Sequence, residues 1–510
     1  MYLAGIGVRA AEDPDGIALR DRTGVLTWAQ VASQVRGVAA AFAALGLDDD
    51  ARVGVSGDNA AATLVAHAAG LLSGIGTVAL HRQATVTEIT HELSDTGCAV
   101  VVTGPAGLEA VRAAVPATQV HTVVVHGTTA PTETVAWETW TTSDGDVPSL
   151  AGRKTRMPLV FTSGTTGRAG ATPISWLPGG DIDDALAFAQ AVSADSGFPP
   201  GPHLVVGPLQ HTGPLTSLRI LLSGQPVIVL DRFDAEEVLR LVDAHGVTST
   251  VMVPTHFSRL LALDPEVRAS YDVSTLQRVA HTGAACPEAV KRAMIDWWGP
   301  VFVEAYGGSE VGTLCRINSV DWLERPGSVG QAIPPLVIEA YDEDVQVQPR
   351  GTTGVLGITL PPGRAVRFLG DEAKSAKAYL APGIATLGDV GHVDEDGFVF
   401  ITDRVSDMVV SGGVNLYPAE CEQVLIRHPD VSEVAVIGVP DADLGETLRA
   451  LIVPATDVVD IEALDAFCRV DLAGYKCPRT YELVPSLARN EMGKLDKRAL
   501  RAPYWTARTT

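Results

Sequence analysis

At 510 residues the chain is long enough to bury a large core and to divide into more than one domain. Apolar residues make up 46% and charged residues 19%, the balance of an ordinary globular protein. A formal net charge of −23 at pH 7 argues against binding nucleic acid or an anionic membrane, so a nucleotide would have to be held by local donors and a metal ion.

Residues 1–8 carry no basic stretch followed by an apolar one, and no signal peptide is expected. Short β-branched runs at 53–55, 100–102, 123–125, 204–206, 227–229, 250–253 and 278–280 alternate with helical patterns. Such alternation predicts stacked α/β layers with mostly parallel sheets. Residues 60–75 are apolar, but the run is short, rich in Ala and Gly, and contains His67; a buried helix is predicted rather than a membrane span. Another helix is predicted behind Pro287, with Val290, Met294 and Trp297 on one face and Gly299 as its stop. From residue 345 the texture changes to glycine-rich short strands, 354–359 and 397–401, as in a small β subdomain. The tail returns to α/β alternation, with a strand at 434–438 and a helix through 461–467. Cys98, Cys286, Cys315, Cys421, Cys468 and Cys477 form no CxxC pair and no zinc spacing, so scattered buried thiols in a reducing cytoplasm are expected.

An apolar strand at 157–161 runs into Phe161-Thr162-Ser163-Gly164-Thr165-Thr166-Gly167. Glycines let backbone N–H groups turn into an anion-binding concavity, and the hydroxyls add donors around the same oxygens. No Gly-Lys-Ser/Thr follows, so the spacing is not that of a Walker loop; alone, the stretch reads equally as a polar turn. Four further segments follow in order: Ala305-Tyr306-Gly307-Gly308-Ser309-Glu310, then Leu387-Gly388-Asp389 with Asp394-Glu395-Asp396-Gly397, then Asp403-Arg404-Val405-Ser406-Asp407 with Ser411-Gly412-Gly413-Val414-Asn415-Leu416-Tyr417-Pro418, and last Arg489-Asn490-Glu491-Met492-Gly493-Lys494. Together with the loop these resemble the adenylate-forming superfamily of acyl-CoA synthetases, nonribosomal peptide synthetase adenylation domains and luciferases. The 411–418 segment and Ala473-Gly474-Tyr475-Lys476-Cys477-Pro478-Arg479 are most similar to fatty-acid-type acyl-CoA synthetases.

The resemblance implies an α/β fold: a large N-terminal domain of stacked α/β sheets plus a small β subdomain, residues 1–404, followed by a small mobile α+β C-terminal domain, 405–510. It implies activation of a carboxylic acid by ATP as an acyl-adenylate, release of pyrophosphate and thioesterification to CoA. Transfer to a carrier protein, nitrite activation for diazotisation of an aryl amine, and a degenerate nucleotide-binding protein are the alternatives. The expected cofactors are ATP, Mg²⁺ and CoA. A small-molecule acid is the expected partner, without nucleic acid or membrane insertion; a homodimer is compatible, and the location is cytoplasmic.

By the same resemblance Thr162, Ser163, Gly164, Thr165, Thr166 and Gly167 hold the β- and γ-phosphates, Ser309 donates to a phosphate oxygen, and Gly307 belongs to the nucleotide-binding set. Glu310 ligates Mg²⁺, with Thr162 as a second oxygen ligand. Asp389 accepts both ribose hydroxyls and Arg404 contacts ribose or phosphate. Tyr306 stacks on adenine opposite Gly283, Ala284 and Ala285, with core packing as the other reading of all four. Lys494 neutralises charge between carboxylate and α-phosphate. His211, in Pro208-Leu209-Gln210-His211-Thr212-Gly213, gates the acid pocket, lined by Phe257 and Gly308; for Phe257 core packing is the bland alternative. Gly412 and Gly413 face CoA, Ser406 takes the pivot position where Asp or Lys is more usual, and Asp407 is structural. The sequence departs from the family after the loop, where Gly170 replaces the usual lysine. On sequence grounds Gly170→Lys should therefore improve ATP binding.

Overall fold

The computed structural model describes residues 1–47, 51–56, 58–147, 149–162, 170–176, 182–362, 364–412, 414–456, 458–489 and 495–506. They divide into two compact units, one of Met1–Thr282, Ile295–Leu314 and Pro361–Lys377, the other of Gly283–Met294, Cys315–Leu360 and Ala378–Thr510.

In the first unit one sheet runs in the order Val135–Ala136, Thr122–Val125, Cys98–Thr103, Arg52–Ser56, Gly76–Leu80, Leu159–Thr162 and Gly170–Pro173. All its pairings are parallel except the last. A second runs Phe302–Gly308, Arg278–His281, Ser249–Met252, His203–Val205, Val227–Val229, Ile17–Asp21 and Gly24–Thr27, again parallel until its final hairpin. Strands such as Gly76–Leu80 are buried along their whole length, which is why the sequence reads as continuous β-branched runs rather than alternation. All seven runs predicted from residue 53 to 280 are strands, within two residues of the expected limits.

The apolar stretch after residue 60 is the helix Ala61–Ser73, buried on nearly every side and stopped by Gly74 in the left-handed region, φ 75°. His67 sits fully inside it with Nδ1 2.8 Å from the Thr77 hydroxyl. Among the described residues no helix is long and apolar enough to cross a membrane. The helix Trp28–Ala44 starts at a capping box in which Thr27 and Gln30 satisfy each other's backbone N–H.

The second unit contains the expected glycine-rich strands: Val337–Tyr341, Gly354–Thr359, Asp389–Val393 and Phe398–Arg404 pair antiparallel in sequence. The tail forms a further sheet of Val414–Leu416, Val409–Ser411, Gly445–Pro454 and Val431–Asp441, with Thr480–Leu483 parallel to Gly445–Pro454. Helices Pro418–Leu425, Ile461–Asp471 and Lys497–Thr506 complete it. Residues on either side of position 404 share one compact unit, and within it the Asp403 carboxylate accepts from the backbone N–H of Ala419 at 2.9 Å and of Arg404 at 2.8 Å. The thiols are not all scattered. Cys421, Cys468 and Cys477 meet in one apolar core, brought together by the helices Pro418–Leu425 and Ile461–Asp471, and Cys286 is only half-buried.

Burial lowers the pKa of His67 and His203 to about 3 and of His126 to about 4, from an ordinary value of 6.5. The folded state keeps these imidazoles neutral while the unfolded chain takes up protons below pH 6.5, so their contribution turns unfavourable as pH falls from 6.5 towards 4. In urea titrations between pH 7.5 and 4.5, each of His67→Gln and His203→Gln should reduce the pH slope of stability by about 1.4 kcal/mol per pH unit near pH 5. An unchanged slope would show that the imidazole was charged in the fold.

Candidate active site

The phosphate-loop motif is introduced by the strand Leu159–Thr162, which hydrogen-bonds antiparallel to Gly170–Pro173 with Thr162 opposite Gly170. The Thr162 hydroxyl donates to the Gly170 carbonyl at 3.4 Å. Ser163, Gly164, Thr165, Thr166 and Gly167 lie outside the described residues; the two residues that flank the segment face each other across the strand pair.

Tyr306, Gly307 and Gly308 end the strand Phe302–Gly308, and Ser309 and Glu310 occupy the turn that follows, closed by the Val311 N–H to the Gly308 carbonyl at 3.2 Å. Gly307 has a packing reason to be glycine, since a Cβ there would sit 2.0 Å from the Gly312 carbonyl oxygen. The Ser309 hydroxyl is 2.7 Å from the Thr212 hydroxyl. Thr212 opens the helix Thr212–Leu222, whose N-cap is His211, so this one bond ties the expected gate to the expected phosphate ligand. The His211 ring packs edge-on against His81 at 5.7 Å, and His81 in turn lies 6.4 Å from Phe161. His81 is held from behind by Glu92, whose carboxylate is 2.5 Å from Nδ1 and also accepts the His81 N–H at 3.2 Å. Phe257 is wholly buried, edge-on to His281 and Phe302 at 5.3 and 5.4 Å. That is the core-packing alternative, and the ring offers no accessible face to an acid.

The segment Pro361–Lys377 borders the same strands. The Leu369 N–H donates to the Ala171 carbonyl at 2.8 Å, the Thr172 hydroxyl donates to the Arg367 carbonyl at 3.1 Å, and Arg364 donates to the Val311 carbonyl and the Ser175 hydroxyl. Its short helix Glu372–Lys377 brings the Lys374 ammonium beside Gly170.

In the second unit Asp389 begins one strand and Arg404 ends its neighbour, directly opposite in register. The guanidinium Nε donates to the Asp389 carboxylate at 3.1 Å; the carboxylate is buried and the arginine largely exposed. Gly388 enters the strand at φ 75°, a left-handed turn that only glycine adopts without strain. Gly283, Ala284 and Ala285 form an exposed bend, so core packing does not describe them. Gly412, at φ 56°, is exposed and donates to the Leu444 carbonyl at 2.9 Å. Gly413 and Lys494 lie outside the described residues. Three residues beyond Lys494, Lys497 makes an ion pair with Glu422 at 2.9 Å and faces Asp403. Burial raises the pKa of both carboxylates, with Lys497 opposing the shift.

Sequence reading did not single out Thr212, His81, Glu92, Lys374 or Lys497. Thr212 was adjacent to a candidate, and a hydroxyl at a helix start was a usable signal. His81 and Glu92 belong to no motif, and their pairing needs the helix Val86–Thr96 folded back on its strand.

The sequence matches the family described as AMP-binding enzyme over residues 7–361, and its C-terminal domain over residues 420–494. The chain belongs to this family of adenylate-forming enzymes. It is 32% identical, over 97% of its length and 96% of the other's, to a ligase of Mycobacterium tuberculosis that joins 3-[(3aS,4S,7aS)-7a-methyl-1,5-dioxo-octahydro-1H-inden-4-yl]propanoate to CoA. To the Rhodococcus jostii ligase of the same name it is 36% identical over 351 residues, 67% of this chain and 64% of that protein. A feruloyl-CoA synthase of an Amycolatopsis species is 31% identical over 97% of both chains. Among solved structures, the amide bond synthetase of Marinactinospora thermotolerans superposes with a TM-score of 0.84 at 26% identity, covering 99% of this chain and 100% of that one.

Replacing Lys497 by Met removes the cation that Asp403 and Glu422 share, and an uncompensated buried carboxylate costs about 3 kcal/mol. Thermal melts should show that loss at pH 7.5 and a smaller one at lower pH, because burial raises both carboxylate pKa values and protonation removes the uncompensated charge. An equal loss at both would mean that the cost is one of packing alone.

Proposed function

We propose that this protein is an ATP-dependent acid–thiol ligase that converts a small carboxylic acid to its acyl-adenylate, releases pyrophosphate and passes the acyl group to CoA. The observation that carries this reading is that a chain matching both parts of the family retains Glu310, Asp389, Arg404 and Lys494 together.

Expelling pyrophosphate needs donors placed around a phosphorus whose charge grows, with no protein nucleophile. In this proposal Thr162 and its loop, with Ser309 held in place by Thr212, surround the departing phosphates. Asp389, oriented by Arg404, accepts the ribose hydroxyls. Glu310 and Thr162 would hold Mg²⁺, which supplies charge neutralisation at the phosphates; one carboxylate and one hydroxyl suit a hard cation that completes its shell with phosphate and water. Tyr306 and the 283–285 bend flank adenine. His211, backed by His81 and Glu92, stands at the mouth for the acid. Lys494 bridges carboxylate and α-phosphate, and Gly412 and Gly413 face CoA. The boundary at 404/405, the pivot at Ser406 and a cytoplasmic location belong to the same reading; the buried thiols of Cys98, Cys315, Cys421, Cys468 and Cys477 support the last.

Transfer to an amine or a carrier protein is a second reading. It is favoured by the likeness to an amide bond synthetase and by 29% identity to a fatty acid–acyl-carrier-protein ligase of Streptomyces coeruleorubidus, over 97% of this chain. Incubation with ATP, Mg²⁺ and a panel of acids should release pyrophosphate, and added CoA should give a thioester; pyrophosphate release that only amines or carrier protein turn into product would select the second reading. Lys494→Ala should slow ATP–pyrophosphate exchange about 10²–10³-fold without lowering the melting temperature. Near-normal exchange would remove Lys494 from the chemistry.

A further inference from the structure

Gly170 stands where the family's loop lysine is expected, and the structure shows what fills that space. A Cβ built on Gly170 would lie 2.7 Å from the Lys374 Nζ and 3.3 Å from the Phe368 ring. The Lys374 ammonium is buried, and it has no hydrogen-bond partner among the described residues. Its contacts are the face of Phe368, 4.2 Å from the ring centroid, and the fields of Glu310 and Asp371.

A buried ammonium without an acceptor is costly, and a ring face recovers only part of the lost hydration. Burial accordingly depresses the Lys374 pKa, against the pull of Glu310 and Asp371. The position is nonetheless built. The Lys374 N–H caps onto Asp371 at 2.8 Å, the Ser375 hydroxyl donates to the Asp371 carbonyl at 2.8 Å and accepts the Phe368 N–H at 2.9 Å, and Leu369 is tied to Ala171. The side chain thus ends beside Gly170, which pairs with Thr162 at the start of the phosphate-loop motif, and within the field of Glu310.

We propose that Lys374 supplies, from a separate helix, the positive charge that position 170 lacks, and that its ammonium binds the β- and γ-phosphates of ATP. The inference rests on the ligase reading above. It pairs glycine at 170 with lysine at 374, since a side chain at 170 would push the ammonium out of the position it now takes. It also corrects the expectation from sequence: Gly170→Lys in the otherwise unchanged chain brings two ammonium groups together and does not improve ATP binding.

The test is calorimetric titration of the full chain with MgATP and with AMP. Lys374→Met should weaken ATP binding about 10- to 100-fold, the worth of a hydrogen bond to a charged group, and leave AMP within about twofold. Lys374→Arg should keep most of the ATP affinity. Gly170→Lys alone should not tighten ATP binding, whereas Gly170→Lys combined with Lys374→Ala should recover most of what Lys374→Ala loses. Thermal melts check folding, and Lys374→Gln is a second neutral variant should the Met form melt early. Unchanged ATP affinity in both neutral variants, or equal weakening of ATP and AMP, overturns the role of Lys374 and leaves the ligase reading standing. A wild-type chain that does not bind ATP overturns both.

Discussion

Concentrating positive charge at one point is the constraint on which the functional architecture depends. A chain of net charge −23 that binds a polyphosphate gains nothing from its overall field, so it must supply donors and cations locally. Cations are costly to hold in an apolar fold without a ligand. In the proposed site the first unit would meet this with hydroxyls at strand and helix ends, such as Thr212 and Ser309, and with the Lys374 ammonium delivered by the segment Pro361–Lys377. Everything nearby positions those groups: the Thr162–Gly170 pairing, the Thr212–Ser309 bond, and the ties from Arg364 and Leu369 to the neighbouring backbone.

The sheets make this positioning rigid. Fully buried parallel strands with helices packed against them leave little freedom at their ends, where turns and loops begin. His211 caps a helix whose buried side, from Pro214 to Leu222, is mostly apolar, so its backbone is set by core packing. His81 adds a second imidazole, fixed by Glu92. In the proposed site the entrance for the acid would therefore be flanked by two rings whose backbones belong to separate elements.

The strand pattern was legible in the sequence because burial on both faces forces β-branched residues into unbroken runs, as at 100–102 and 123–125. The helix at 61–73 was legible for the same reason, with a single histidine whose Nδ1 pairs with the Thr77 hydroxyl. Motif residues were legible where backbone geometry demands one residue type, as at Gly307 and Gly388. Phe257 shows the limit: an aromatic after Pro254-Thr255-His256 gives no sign of whether its ring faces a ligand or, as here, Phe302 and His281.

The sequence by itself determined the family and the layered α/β order, because these depend on local periodicity and on motifs read within a few residues. Only tertiary structure decided which distant groups complete them. Lys374 lies 204 residues beyond Gly170 in the chain, and Thr212 and Ser309 are 97 apart. Such pairings have no local signature, since they arise from how buried layers stack and which side chain the packing then leaves room for. A missing lysine in one segment thus reads as a loss in sequence and as a relocation in three dimensions.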